Sequence, residues 1–280
     1  MSEPSAAEQW ITDALEHARF EVVPAAKVEG AVIAAVPTSV KLAVTASPTR
    51  PISATLDLTE RLLAHGYDVV PHLAARMISG PTELHDIVQQ LTSLGVRDVF
   101  CPSGDAGTPS GAYHAALPML QDLTSMGRPF AAVGITGYPE PHPAMDGEEA
   151  MKAMLAKHEH ATYIVSNLCF DSAAIASWLS RVRDEGVRLP LLLGMPGPVE
   201  RAKLLAVAAR IGVGQSIRFV GTHVGAVARM AAPGGFNAAK FLRRAAPALS
   251  APALGVTGLH VFTFNQVAQT ERWRQSQLSG

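Results

Sequence analysis

Phe130-Ala131-Ala132-Val133-Gly134-Ile135-Thr136-Gly137-Tyr138-Pro139-Glu140-Pro141-His142-Pro143 carries the pattern that decides the fold. An apolar run long enough for a buried strand stops at Gly137, and from there Tyr138, Glu140 and His142 each precede a proline. Residues before proline are pushed toward extended backbone, and proline fixes its own φ, so these polar side chains leave the strand end on a stiff tether. A rigid polar tip on a buried strand suits a binding site. A proline-rich turn that merely ends the strand is the plainer reading of the same residues.

Outward from this stretch, apolar runs alternate with amphipathic segments along nearly the whole chain, the pattern of βα units and a parallel sheet. Strands are predicted at 20–23, 41–46, 68–73, 98–101, 130–136, 163–170, 189–195 and 259–264. Leu84, Ile87, Val88, Leu91 and Leu94 recur at helical spacing, with Pro81 near the start and Gly95 just past the end. Ile175, Trp178, Leu179 and Val182 repeat that pattern between Asp171, a candidate N-cap, and Gly186. Pro198 opens another stripe of Leu204, Leu205, Ala208 and Ile211 before Gly212. Between 213 and 252 the rhythm lapses, and helices are predicted over 221–232 and 236–249, split by Pro233-Gly234-Gly235. No linker or repeat divides the chain, so the expectation is one domain over 1–280, a single α/β (β/α)8 TIM barrel with extra helices before the last strand. The competing doubly wound sheet would place a G-x-G-x-x-G turn after the first strand, and none follows 20–23.

Composition narrows the partners. With 280 residues, 48% hydrophobic and 17% charged, the chain can bury a sizeable core. Lys plus Arg at 23 against Asp plus Glu at 24 leaves a formal charge of -1, so no global field draws nucleic acid or acidic membranes. A neutral small molecule or a local charge pocket is expected, and a homo-oligomer is allowed. The start carries Glu3 and Glu8 without the basic and apolar regions of a signal peptide, and no run reaches membrane-spanning length. Cys101 and Cys169 lie far apart without a C-x-x-C pattern, which argues against a disulfide scaffold or structural zinc and fits a reducing cytoplasm.

In a barrel the chemistry gathers at the C-terminal strand ends. Those ends offer Glu21, then Thr45 and Ser47, His72, Ser103-Gly104-Asp105, Tyr138 with Glu140 and His142, Asn167 with Cys169, and Thr263, Asn265 and Gln266. A carboxyl inside an apolar run such as Phe20-Glu21-Val22-Val23 has its pKa raised when buried, as a general acid requires. An outward, solvated Glu21 is equally compatible with strand alternation. Asp105 could oppose a developing positive charge or cap the next helix. His72 reads as a ligand donor or as a satisfied core histidine. Ser103, His72 and Asp105 have the residue types of a triad but no G-x-S-x-G elbow. Metal-ligand spacing such as H-E-x-x-H is missing, and His158 and His160 are awkward for one helix face, so no metal is expected.

Taken together, Phe20-Glu21, Thr45, Pro71-His72-Leu73, Gly104-Asp105, Tyr138-Pro139-Glu140-Pro141-His142-Pro143, Phe170-Asp171 and Phe262-Thr263-Phe264-Asn265 resemble the catalytic barrel of methylenetetrahydrofolate reductase, in the family's order. The resemblance implies reduction of 5,10-methylenetetrahydrofolate to 5-methyltetrahydrofolate, with electrons from NADH or NADPH usually relayed through FAD. It implies that Glu21 protonates N10 to open the bridging ring and that Asp105 stabilises the positive charge of the resulting iminium. Asn167, standing where the family has glutamine, would contact the folate, as would Phe262 and Gln266 on the last strand. Thr45, His72, Gly104, Tyr138 and His142 fall on positions that line the flavin.

Departures from the family pattern shift the cofactor expectation. Ser103 replaces an arginine before Gly-Asp, and a basic pair on the helix after strand five reduces to Lys157 in Leu155-Ala156-Lys157. Losing two charge-assisted phosphate contacts would cost several kcal/mol at about 1.5–3 each, which weighs against bound FAD. Phe262 for tyrosine and Gln266 for arginine alter the contacts to the folate tail. The expectation is therefore a short reductase in which NADH or NADPH delivers hydride directly to the iminium. An FAD-dependent reductase, and a non-redox folate-binding or one-carbon transfer protein, are the alternatives. The short chain also leads to an expectation of no adenosylmethionine control.

Overall fold

The computed structural model describes residues 5–140, 147–169, 171–199 and 237–279, and all eight predicted strands are present in it. They are β1 (Arg19–Val22), β2 (Lys41–Val44), β3 (Val69–Pro71), β4 (Asp98–Phe100), β5 (Ala132–Gly137), β6 (Tyr163–Ser166), β7 (Leu191–Pro196) and β8 (Val256–Phe262). Every pairing is parallel, in the order β3-β2-β1-β8-β7-β6-β5-β4. A parallel bridge between His72 and Phe100 joins the two ends of that sheet. There the His72 N–H donates to the Val44 carbonyl at 2.9 Å and the Leu73 N–H to the Phe100 carbonyl at 2.8 Å. The ring closes as a (β/α)8 barrel.

Helices α1 (Ala6–Glu16), α2 (Val28–Ala35), α3 (Ser53–Ala64), α4 (Pro81–Ser93), α5 (Ala116–Ser125), α6 (Gly147–Lys157), α7 (Ser172–Asp184), α8 (Ala238–Leu249) and α9 (Val267–Leu278) surround the strands. Their ends follow the sequence signals. Pro81 opens α4, and Gly95 follows it at φ +79°, a left-handed conformation that glycine adopts without strain. The Asp171 carboxylate accepts from the Ala173 and Ala174 N–H groups at the start of α7. Helix α1, outside the predicted elements, opens with a capping box of Ser5 and Glu8. The helix predicted over 221–232 and the stripe at 204–211 lie outside the described residues. Among the described residues no helix is long and apolar enough to cross a membrane.

Alternation along the strands separates two cores. Phe20, Val22, Leu42 and Val44 join the apolar layer shared with the helices, while Ala43, Val70, Phe100, Tyr163 and Val165 cluster inside the barrel. Below that interior cluster, at the N-terminal ends of the strands, lies a charged plug. Arg19 donates to the Tyr163 hydroxyl at 2.7 Å and to Asp98 at 2.8 Å, and the Tyr163 hydroxyl donates to the other Asp98 oxygen at 2.8 Å. A Cβ at Gly134 would collide with the Tyr163 ring, so the plug depends on that glycine.

Candidate active site

Glu21 lies one alternation above Arg19 on β1 and points into the barrel, its side chain 16% exposed, rather than outward. Its backbone is fastened by the end of β8. The Thr263 hydroxyl donates to the Glu21 carbonyl at 2.6 Å, while Asn265 accepts from the Val23 N–H at 2.8 Å and donates to the Val23 carbonyl at 2.9 Å. Phe264 and Asn265 turn at φ 49° and 59° to bring this clasp into register. Thr263 and Asn265, expected as strand-end candidates, thus serve to position β1.

The Glu21 carboxyl meets two imidazoles. His260 Nε2 lies 3.0 Å from Oε2 and His72 Nε2 lies 3.9 Å from the same oxygen. Burial pushes both histidines down to about pH 3, against the opposing pull of Glu21 on His72, so both rings are neutral around pH 7. The contacts of Glu21 are therefore with neutral dipoles rather than cations. Burial raises the Glu21 pKa, the nearby Asp105 charge reinforces the rise, and His72 opposes it. The His72 Nε2 and His260 Nδ1 atoms are buried without a hydrogen-bond partner. His72 is thus both a core histidine, closing the ring through its backbone, and a wall of the site through its side chain.

Sequence reasoning missed His260, hidden in the apolar run Leu259-His260-Val261. The signal was there in the alternation, since His260 shares the inward face of β8 with Phe262, and their rings meet edge-on at 5.1 Å between centroids. Donor atoms of Glu21, His72 and His260 all lie within 4.8 Å of one another, the residue types of a divalent-cation site. Spacing rules could not find this set because its members come from three strands. It qualifies the expectation of no metal, which rested on local spacing.

Asp105 sits in the segment between β4 and α5, exposed at the mouth. Gly104 before it has φ +86°, and a Cβ there would come within 2.9 Å of the Ala74 Cβ, so its part is conformational. Asp105 does not cap the next helix. The Ser103 hydroxyl takes that part, accepting from the Ala116 N–H at 3.2 Å. The Asp105 charge acts on Tyr138 as well as Glu21, and burial with Asp105 moves the Tyr138 hydroxyl up to about 12. Glu21, Asp105, His72 and Tyr138 therefore share one electrostatic environment.

Thr45 follows β2, its N–H on the Val22 carbonyl at 2.9 Å. Asn167 follows β6 and turns its Oδ1 to the Leu168 N–H at 2.9 Å, so the strand stops at Ser166 instead of running to 170. Phe262 and Gln266 are half-buried at the end of β8 and the start of α9. His142 lies outside the described residues, as do Pro141, Pro143 and Phe170.

A closed barrel of eight parallel strands, with a largely enclosed carboxyl beside two imidazoles at its C-terminal mouth, defines a TIM-barrel protein with a candidate acid–base site. Among solved structures the chain is similar to a candidate lyase/mutase from Burkholderia cenocepacia J2315 (16% identity, 97% of this chain and 86% of that one, TM-score 0.50). It is also similar to a candidate deoxyribose-phosphate aldolase from Toxoplasma gondii ME49 (10% identity, 96% and 97%, TM-score 0.51). At these identities the likeness shows the barrel alone. The profile of the methylenetetrahydrofolate reductase family matches residues 33–218, well over half of the 280-residue chain, and the chain belongs to that family. Membership places it in folate one-carbon chemistry and among oxidoreductases. Asp105, His72, Tyr138 and Asn167 fall inside the matched span, while Glu21, His260, Phe262 and Gln266 flank it.

Proposed function

We propose that the protein reduces 5,10-methylenetetrahydrofolate to 5-methyltetrahydrofolate, with hydride passing directly from NADH or NADPH to the folate. The observation that carries this reading is the Glu21 carboxyl, buried among neutral groups and holding its proton to higher pH than an exposed glutamate. Glu21 delivers that proton to N10, the bond from N10 to the bridging carbon breaks, and a cationic N5 iminium forms. Asp105, across the mouth, opposes that positive charge. The nicotinamide supplies the hydride that adds to the bridging carbon, leaving an N5 methyl group and NAD(P)+, and Glu21 regains a proton from solvent. Neutral His72 and His260 orient the carboxyl without adding positive charge beside the iminium. Asn167, Phe262 and Gln266 are assigned to the folate, and Thr45, His72, Gly104, Tyr138 and His142 to the nucleotide.

The flavin implied by the resemblance fits the described residues poorly. Ser103, in the place of an arginine, brings no positive charge for a phosphate. Helix α6 presents Glu148 and Glu149 in its first turn, an unfavourable end for a pyrophosphate, and its one buried cation, Lys157, lies at the far end with its pKa lowered by burial to about 8. The test is an absorbance spectrum of the purified protein, followed by NAD(P)H oxidation with methylenetetrahydrofolate. Turnover without flavin absorbance is expected. A yellow protein whose turnover depends on FAD overturns direct transfer, and no turnover under either condition overturns the reductase.

A further inference from the structure

Residues 101–115, joining β4 to α5, form no helix or strand and carry Asp105 to the barrel mouth. No hydrogen bond fixes the Asp105 side chain among the described residues, so the carboxylate goes where its backbone goes. That backbone is gripped by Arg76, from the turn after β3. Arg76 Nε donates to the Ala106 carbonyl at 2.7 Å, Nη2 to the Gly107 carbonyl at 2.8 Å and Nη1 to the His114 carbonyl at 3.2 Å. Its own N–H donates to the Ser103 carbonyl at 2.9 Å, and its carbonyl accepts from the Ser110 N–H at 2.9 Å. Contacts therefore fall on both sides of Asp105 and at the far end of the loop.

We propose that Arg76 is the positioning residue for Asp105, holding the loop in its working shape before substrate arrives; this rests on the reductase reading above. The guanidinium suits the task because its donors form a rigid planar fork that spans three carbonyls, whereas a lysine ammonium is a single point charge on a flexible stem. Pre-organisation matters because a displacement of about 1 Å in a group that stabilises charge can cost on the order of 100-fold in rate.

The experiment compares wild type, Arg76→Ala, Arg76→Lys, Asp105→Asn and the Arg76→Ala/Asp105→Asn double variant for kcat and KM, with amide exchange followed across residues 103–111. Arg76→Ala is expected to lower kcat roughly 10- to 100-fold without a matching rise in KM, and Arg76→Lys to recover only a small part of the loss. In the Asp105→Asn background the same change should cost less than about 2-fold, because the group it positions is already disabled. Loop amides should exchange faster in Arg76→Ala while those of β4 stay protected. Equal losses in the two backgrounds, or unchanged kcat, overturn the proposal. If wild type shows no turnover at all, the reductase reading falls by itself, and loop amides exchanging as slowly in Arg76→Ala as in wild type then overturn the clamp.

Discussion

Glu21 shows how one residue type acquires a task from its surroundings. A carboxyl inside a barrel is costly to ionise, and although His72 opposes the shift, burial prevails and the Glu21 pKa stays raised. Replacement by glutamine keeps the shape and removes the proton. Glu21→Gln is expected to lower kcat by about 100-fold or more while folate affinity is retained, measured by steady-state turnover and by titration of bound folate. Unchanged kcat would remove Glu21 from the chemistry. Relative to wild type, the same variant should gain stability as pH rises above 4.5, since it no longer carries a carboxyl whose ionisation burial opposes, and melting curves at about pH 4 and pH 8 check this. At this scale the sequence was informative where a polar residue interrupted an apolar run, as at Glu21. It was silent where the partners came from other strands, which is why His260 and the grip of Arg76 emerged only with the fold.

At the level of elements, Thr263 and Asn265, just past the end of β8, work as a clasp on β1. Asn265 supplies both halves of a two-way bond to Val23 while sitting at φ 59°, a conformation asparagine tolerates better than most side chains. Asn265→Ala loses the bonds and strains the turn; Asn265→Gly loses the bonds alone. The expected cost, read from urea unfolding, is about 1–3 kcal/mol for the alanine variant and less for the glycine, with kcat falling in both as Glu21 loses its backbone anchor. Equal stability of the two variants would show that the left-handed turn carries no strain. Strand and helix order was readable because each unit has its own period and its own stops, Pro81 and Gly95 around α4 being an example. Boundaries were less so. Strand β8 begins at Val256, three residues ahead of the predicted start, because Gly255 at φ 64° launches it and the glycine at 258 masks the apolar run.

For the molecule as a whole, the barrel interior is polar at both ends, with the Arg19–Asp98–Tyr163 plug below and the Glu21–His72–His260 group above. The sequence predicted the barrel but not what fills it, because residues 19, 98 and 163 face one another only after the ring closes. Removing Asp98 would leave Arg19 buried without its carboxylate, so Asp98→Ala should destabilise by about 3–5 kcal/mol in denaturant melts, whereas a loss below about 1 kcal/mol would show that water reaches the plug.

The upper group sets the pH dependence of stability. His72 and His260 bind protons near 6.5 when unfolded and only near 3 when folded. Between those values the unfolded chain holds more protons, so the stability these rings allow is present above about pH 6.5 and is lost as pH falls toward 3, with a limiting slope of about 1.4 kcal/mol per pH unit for each ring. Glu21 acts in the opposite sense: with its folded pKa raised above 4.5, its contribution is full below that value and is lost as pH rises through the folded pKa. The two histidines therefore dominate the acid limb, and below about pH 4.5 they act without opposition from Glu21. Urea midpoints measured from pH 4 to 8 should show His260→Asn with an acid limb flatter than wild type by about one proton, and Glu21→Gln with a limb unchanged below about pH 4.5 and steeper above it, where the opposing carboxyl is gone. An acid limb in His260→Asn as steep as that of wild type would mean that the ring takes up its proton without unfolding, and that the barrel mouth is wetter than its packing indicates.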